Sequence, residues 1–165
     1  MGLTLVWHRR DCRLADNALY HGLSDRAVLS VYVFDPTAFS PVPSIAEPSW
    51  DVVRTGPHAA KALLVALAAL RSALRAQGGE LLIRHGDPAS VLPQLALAHG
   101  AEEVRWHEEP GTEELDTSVR VRRALRGARR RVLTDWGCTL RHPDDLPSPE
   151  EWPALAHPRR KHQPK

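Results

Sequence analysis

Five short apolar runs alternate with helical patterns along the chain. Each run has five to eight residues and is rich in aliphatic, β-branched or aromatic side chains. Such near-continuous apolar runs are typical of strands that are buried on both faces. The predicted strands cover residues 3–8, 27–34, 80–85, 103–107 and 131–135.

The first two connections differ in character. Asp16 is a plausible N-cap for a short helix over residues 16–24. Residues 35–55 contain four prolines and are predicted to form a loop, which is longer than most connections and is therefore of functional interest. The longest helix is predicted over residues 56–77, where four leucines share one face: Leu63, Leu67, Leu70 and Leu74.

Two further helices follow the third and fourth runs. Asp87 and Pro88 provide an N-cap and a proline at the first helical position, and this helix is expected to end near residue 100. Its predicted inward positions are Val91, Leu95 and Ala98. Thr112 is the expected cap of a last helix that reaches about residue 126.

The alternation of strands and helices predicts an α/β fold. Right-handed crossovers then favour a doubly wound five-stranded parallel sheet in the order 3-2-1-4-5, a Rossmann-like arrangement of three α/β/α layers. Ligands of such sheets bind at the carboxyl ends of the strands, where the winding reverses. We therefore expect the functional site beside strands 1 and 4.

Composition agrees with one globular domain. The chain has 165 residues, is 42% hydrophobic and 25% charged, and carries a net charge of +2. We predict the α/β domain over residues 1–147 and a flexible, proline-rich basic tail over residues 148–165. The start reaches charged residues too early for a signal peptide, and no apolar run is long enough to span a membrane. Cys12 and Cys138 lack CxxC spacing, which suits the cytoplasm.

Several chemistries lack their motifs. The sequence contains neither GxxxxGK[ST] nor GxSxG, and no GxGxxG follows the first strand. The nine histidines show no metal-binding spacing. These observations predict no catalytic residue and no metal site on this chain.

Tryptophans end three of the predicted strands, at positions 7, 106 and 136. Aromatic rings at these ends can flank a flat conjugated ligand, and Arg9 or Arg10 can meet its anionic groups. Alternatively, the three rings are part of the hydrophobic core at this end of the sheet.

Several motifs in register resemble the photolyase/cryptochrome family. Residues 7–17 read WHRRDCRLADN, similar to the family opening W-[FH]-R-x-D-[LV]-R-x-x-D-N. Further landmarks follow in the same order: VYVFDP at 31–36, TGP at 55–57, GGELLIRHGDP at 78–88, WHEE at 106–109, TEEL at 112–115, WGCTL at 136–140 and HPDDLP at 142–147. The later landmarks are most similar to the cryptochrome-DASH branch, and the resemblance covers residues 3–150.

This resemblance implies an antenna domain. In the family, the N-terminal α/β domain binds a light-harvesting chromophore, which is methenyltetrahydrofolate, a deazaflavin or a flavin. A larger helical domain holds FAD, so FAD is not expected on this chain. The resemblance therefore implies a non-catalytic chain that takes part in photorepair only with a separately encoded FAD-binding helical domain.

The family also suggests contact residues, position by position. Glu114, and next Glu113, match a carboxylate that contacts the folate, although both also suit a helix N-terminus. Arg9, Arg10 and Asp35 match positions that line the antenna cleft, although salt bridges and turn capping would also explain them. With the ring of Trp106, they complete the predicted cofactor-binding set.

Other interpretations remain open. Ala59 and Ala62 replace a family arginine and aromatic residue, which would fit a remnant without a ligand, and a general nucleotide-binding sensor or binding module is the main alternative. A homodimer or another partner would cover a face that the helical domain otherwise covers. Seven arginines between positions 120 and 131 suit a solvated surface, or alternatively contact with nucleic-acid phosphates. From the rest of the chain, DNA binding is expected to be weak or indirect.

Overall fold

Five parallel strands form one sheet in this computed structural model, which describes residues 2–41, 53–137, 139–140, 142–146 and 148. The strand order is β3-β2-β1-β4-β5, so the predicted doubly wound sheet is confirmed. The strands are β1 (Leu3–His8), β2 (Ala27–Phe34), β3 (Leu81–His85), β4 (Ala101–Glu108) and β5 (Arg131–Trp136).

Three α-helices and short 3₁₀ turns connect these strands. The helices are α1 (Pro57–Ala76), α2 (Pro88–Ala98) and α3 (Thr112–Gly127). A three-residue 3₁₀ turn, Ala18–Tyr20, lies between β1 and β2, and another, Pro36–Phe39, follows β2. None of the helices in the described part of the chain combines the length and the apolar character needed to cross a bilayer.

The helices cover the two faces of the sheet. Leu5, Val31 and Val104 pack with residues of α2 and α3 in the main core. Leucines of α1 form a second cluster beneath β2 and β3, as their spacing predicted. The predicted three layers are therefore present, and the order of the strands reverses between β1 and β4.

The face of β4 turned away from α2 and α3 is polar. Glu103, Arg105 and His107 alternate along this face, and all three are buried. The Arg105 guanidinium donates to Glu103 Oε1 at 2.6 Å and to the carbonyl of His21 at 2.8 Å, just after the first 3₁₀ turn. Because a short turn replaces a crossover helix here, charged side chains and backbone carbonyls fill the space that apolar helix residues would occupy.

Three local predictions were wrong. A 3₁₀ turn replaces the predicted helix over residues 16–24, and its cap is Asn17, whose side chain accepts from the Leu19 amide, while Asp16 has a φ of 51°. Ala98 is exposed, because Leu92 and Ala96 turn inward instead. Gly111, rather than Thr112, is the N-cap of α3.

Part of the sequence lies outside the described residues. This applies to Cys138 and to most of the predicted tail over residues 148–165. The boundary at residue 147 and the flexibility of the tail stay predictions.

Two leucines of α2 test the assignment of its buried face. Leu92 is 0% exposed in the main core, whereas Leu97 is 55% exposed. We expect Leu92→Ala to lower the free energy of unfolding by about 2–5 kcal/mol, because it leaves a cavity. Leu97→Ala should change it by less than about 0.5 kcal/mol. Urea denaturation measures both, and equal losses would contradict the assigned face.

Candidate functional site

A cleft of about 440 Å³ opens at the carboxyl ends of β1 and β2, beside the first turn of α3. This is the end of the sheet at which the strand order predicts a ligand site. Five of the six predicted contact residues line the cleft: Arg9, Arg10, Asp35, Glu113 and Glu114. The fold thus brings together residues from positions 9 to 114.

Trp106 is the exception. Its side chain is 0% exposed and lies behind Trp7, with ring centroids 5.7 Å apart. The indole N–H donates to Ser118 Oγ at 3.3 Å. Trp106 is therefore part of the core and supports Trp7, which does line the cleft. Of the two interpretations of the strand-end tryptophans, the core interpretation describes Trp106.

Arg9 is an internal cation at the floor of the cleft. Its side chain is 9% exposed, and its guanidinium lies 4.9 Å from the Trp7 ring centroid. It donates to Ser118 Oγ at 3.0 Å and to the Glu114 carbonyl at 3.3 Å. Arg9 thus ties the end of β1 to α3.

Arg10 is the accessible cation of the pair, with a side chain that is 72% exposed. Its Nη2 lies 2.7 Å from Glu114 Oε1. The Glu114 carboxylate therefore has a cationic partner that a ligand would have to share or displace.

Glu109 is a cleft residue that the sequence analysis quoted in a motif but did not assign. Its Oε2 lies 3.4 Å from Arg9 Nη2 and 3.6 Å from Arg10 Nε, and its Oε1 accepts from the Arg10 amide. Burial nevertheless raises the pKa of the Glu109 carboxyl above its usual value, against the effect of the two arginines. Its place directly after β4 was the signal that could have identified it.

An ion pair bridges the two walls of the cleft. Arg54 contacts Glu113 of α3, and the neighbouring Thr55 hydroxyl donates to the carbonyl of Ala38 at 2.6 Å. Arg54 is 59 residues from Glu113 in sequence, so no local pattern could place the two side chains together. The Asp35 carboxylate, on the same wall, accepts from the amide and the hydroxyl of Thr37, which is the capping role that we considered for it.

The cleft combines an aromatic wall with paired charges at its rim. Trp7 and Tyr32 supply ring surface, and the carboxylates at the rim lie beside arginines. Such a set can accept and donate hydrogen bonds at the edge of a flat ligand. Within the described residues, no three histidine, cysteine, aspartate or glutamate side chains come together as a metal site would require.

His8 carries a buried hydrogen-bond network below the cleft. One ring nitrogen lies 3.0 Å from the Asp11 carbonyl and the other lies 2.7 Å from the Tyr20 hydroxyl, which in turn lies 2.8 Å from Ser30 Oγ. Burial lowers the pKa of the His8 imidazole below its ordinary value. The network is therefore built on neutral His8.

This lowered pKa predicts a pH dependence of stability. Below about pH 6.5 an unfolded chain protonates its histidines, whereas folded His8 stays neutral to lower pH, so stability is lost as the pH falls. We expect the melting temperature to fall less steeply between pH 7.5 and 5.5 in His8→Gln than in the native chain. Equal slopes would show that His8 does not carry this dependence.

Arg9 and Arg10 form a matched pair for a second test. Arg9→Met would leave the buried Glu109 charge without its internal partner, at a cost of about 3–5 kcal/mol in the free energy of unfolding. Arg10→Met removes an exposed cation and should cost less than about 1 kcal/mol. Adding Glu109→Gln to Arg9→Met should recover part of the loss. Urea denaturation at pH 7 gives all three values, and equal effects of the two arginines would refute the internal role of Arg9.

Comparison with known proteins identifies similar chains. The family model described as DNA photolyase matches residues 4–162. A cryptochrome DASH from Natronomonas pharaonis is 39% identical over 151 residues, which are 90% of this chain and 31% of the relative. A cryptochrome DASH from Gloeobacter violaceus is 39% identical over 87% of this chain and 28% of its own length. The chain thus spans less than a third of these relatives.

Solved structures show the same fold. A cryptochrome from Synechocystis matches with a TM-score of 0.80 and 32% identity, over 90% of this chain and 30% of that one. An archaeal photolyase from Sulfolobus tokodaii, solved with two FAD molecules, matches with a TM-score of 0.73 over 88% of this chain and 32% of its own. At 18% identity, the second match concerns the fold alone.

Proposed function

Because this chain belongs to the DNA photolyase family, we propose that its α/β domain binds a pterin, deazaflavin or flavin light-harvesting chromophore in the cleft beside Trp7. The observation that carries this proposal is the cleft itself. It lies at the carboxyl ends of β1 and β2 and gathers Arg10, Glu113 and Glu114 around an aromatic wall.

The residues of the cleft fit such a group. Its volume of about 440 Å³ falls within the usual range of ligand pockets, about 300–1,000 Å³. A pterin edge presents N–H donors that a carboxylate accepts, and we assign this role to Glu114, which lines the cleft. Arg10, which is exposed at the rim, suits an anionic tail or phosphate. When bound, the chromophore would supply absorption of near-ultraviolet or blue light.

Because Glu114 is paired with Arg10, a bound chromophore would replace Arg10 as the partner of the Glu114 carboxylate. The Glu114 carboxylate would turn from Arg10 Nη2 to the ligand edge, and Arg10 would remain nearby to meet the anionic part. Arg9 and Glu109 would keep their positions, because they are held inside the protein. Loading therefore requires motion of two side chains at the rim, exposed Arg10 and half-buried Glu114.

Photorepair of DNA would need a further component. We propose that this α/β domain acts with a FAD-bearing helical domain, since FAD and the DNA lesion belong to that domain in the family. Alternatively, two copies of this chain associate through the face that the helical domain would otherwise cover.

Titration with chromophores tests the proposal. We expect methenyltetrahydrofolate, a deazaflavin or FMN to bind the 165-residue chain, with a shift of its absorbance band. Glu114→Ala should weaken binding at least tenfold, about 1.4 kcal/mol, because it removes the acceptor of the ligand's N–H groups. Glu102→Ala is the matched control, since Glu102 pairs with Arg26 at the opposite end of β4.

The outcomes separate the competing functions. Binding of ATP without binding of a pterin or flavin would favour the nucleotide-binding module. Binding of none of these compounds would identify a remnant domain. Equal weakening by Glu114→Ala and Glu102→Ala would remove Glu114 from the contact set.

A further inference from the structure

Positive charge is concentrated at one end of α3 and the start of β5. Residues 117–134 contain seven arginines and no aspartate or glutamate. These seven arginines carry +7 while the whole chain carries only +2, so the remaining residues carry a net −5. Such asymmetry of charge is typical of chains that meet a polyanion.

Three of the seven arginines have carboxylate partners. Arg120 Nη1 lies 2.8 Å from Asp87 Oδ1, Arg122 contacts Glu108, and Arg131 Nη2 lies 3.3 Å from Glu103 Oε2. These pairs fasten α3 and β5 to the rest of the domain. These three arginines of the cluster therefore have a structural role in the domain.

The other four arginines form what we call the arginine ridge: Arg123, Arg126, Arg129 and Arg130. Within the described residues, none of their side chains has an ion pair or a hydrogen bond. The side chains of the first three are exposed, and Arg130 is half-buried with its Nε unpaired. Arg123, Arg126 and Arg129 thus present exposed guanidinium groups whose donors can bind a ligand.

The backbone at the ridge has a conformation that favours glycine. The amide of Arg130 donates to the carbonyl of Leu125, and the amide of Arg129 donates to the carbonyl of Arg126, each at 2.9 Å. This is the Schellman end of a helix, in which the residue with positive φ is most often glycine. Here that residue is Arg129, with a φ of 56°, although a side chain in this region costs about 1–2 kcal/mol. Arg129 therefore places a cation at a position where the backbone conformation favours glycine.

We propose that the arginine ridge binds the phosphate backbone of nucleic acid without reading its sequence. Arg123 and Arg126 are three residues apart on α3 and lie on one side of it. At about 1.5 Å per helical residue, Arg123 and Arg126 are roughly 4.5 Å apart along the axis, and Arg129 and Arg130 extend the ridge past the end of α3. One nucleic-acid strand carries a charge about every 3.4 Å along the duplex axis. The ridge can therefore reach two or three successive phosphates. Planar guanidinium groups donate to phosphate oxygens in pairs.

The surroundings of the ridge favour phosphates over a membrane or a protein. The exposed large apolar side chains on either side are Val119 and Leu133, and none lies between them in sequence. Peripheral membrane helices need apolar anchors, and protein interfaces have an apolar or aromatic centre. A phosphate backbone requires neither.

The ridge is also separate from the cleft. Glu113 and Glu114 are in the first turn of α3, whereas the ridge begins in its last turns and continues beyond its end. At about 1.5 Å per helical residue, Arg123, the near end of the ridge, is about 14 Å from Glu114 along the axis of α3. Binding at the ridge therefore does not depend on a chromophore, and its test is independent of the proposed function.

The test measures binding of a fluorescein-labelled duplex of arbitrary sequence to the 165-residue chain by anisotropy, between 25 and 200 mM salt as a rough working range. The ridge variant combines Arg123→Gln, Arg126→Gln and Arg129→Gly. Its control combines Arg71→Gln, Arg75→Gln and Arg84→Gln, which change the charge equally near β3, at the other edge of the sheet. We expect affinity to fall at least tenfold in the ridge variant only, with a salt slope smaller by about 2–3, since each lost phosphate contact removes about 0.9.

Arg129→Gly alone separates binding from folding. It relieves the positive φ, so the melting temperature should stay equal or rise while affinity falls about threefold, because one of the cationic contacts is lost. Loss of affinity to the same extent in the control would overturn the proposal, as would an unchanged affinity in the ridge variant. Binding to phosphatidylserine vesicles or to polyglutamate without binding to the duplex would also overturn it.

Discussion

Arg9 and Glu109 form an internal ion pair at the floor of the cleft, and the shape of the cleft depends on this contact. Each residue directly follows a strand, β1 or β4, so the pair joins the two strands at which the winding of the sheet reverses. A buried carboxylate without a cation would be strongly destabilising. The same arginine holds α3 through Ser118, which fixes the helix that carries the rim carboxylates.

The two faces of the sheet are built from different chemistry. Apolar side chains from β1, β2 and β4 pack against α2 and α3, which gives a dry and close-packed layer. On the other face, a three-residue turn between β1 and β2 leaves room that Arg105, Asn17 and His107 fill with hydrogen bonds. The side of α2 and α3 therefore holds the largest apolar cluster. The other side combines two smaller apolar clusters with a polar network beside β4.

The sheet order and the main core could be predicted because strand length and the spacing of leucines are local properties of the sequence. The cap at Asn17 could not, since Asp16 and Asn17 are both good caps and the choice depends on how the turn meets β4. Trp106 was misjudged for a related reason: its place near a strand end is visible in the sequence, but the face to which it turns depends on α3.

The candidate site was predictable to the extent that its residues follow strands or begin helices. Arg9, Arg10 and Glu114 satisfy that rule, and all three line the cleft. Arg54 satisfied no such rule, because Arg54 neither follows a strand nor begins a helix, and Glu113 is 59 residues away in sequence. The ionic partners of the arginines could not be predicted from the sequence either, since each pair joins elements that are remote in sequence.

The strand order also determines when the cleft can form. β1 pairs with β2 soon after it in the chain, but its other neighbour, β4, begins only at Ala101. Pairings between remote segments form slowly, because a long loop must close first. During synthesis, β1, β2 and β3 can assemble while one long edge of β1 is still unpaired. The cleft is therefore a late product of folding, complete only when β4 and α3 have docked.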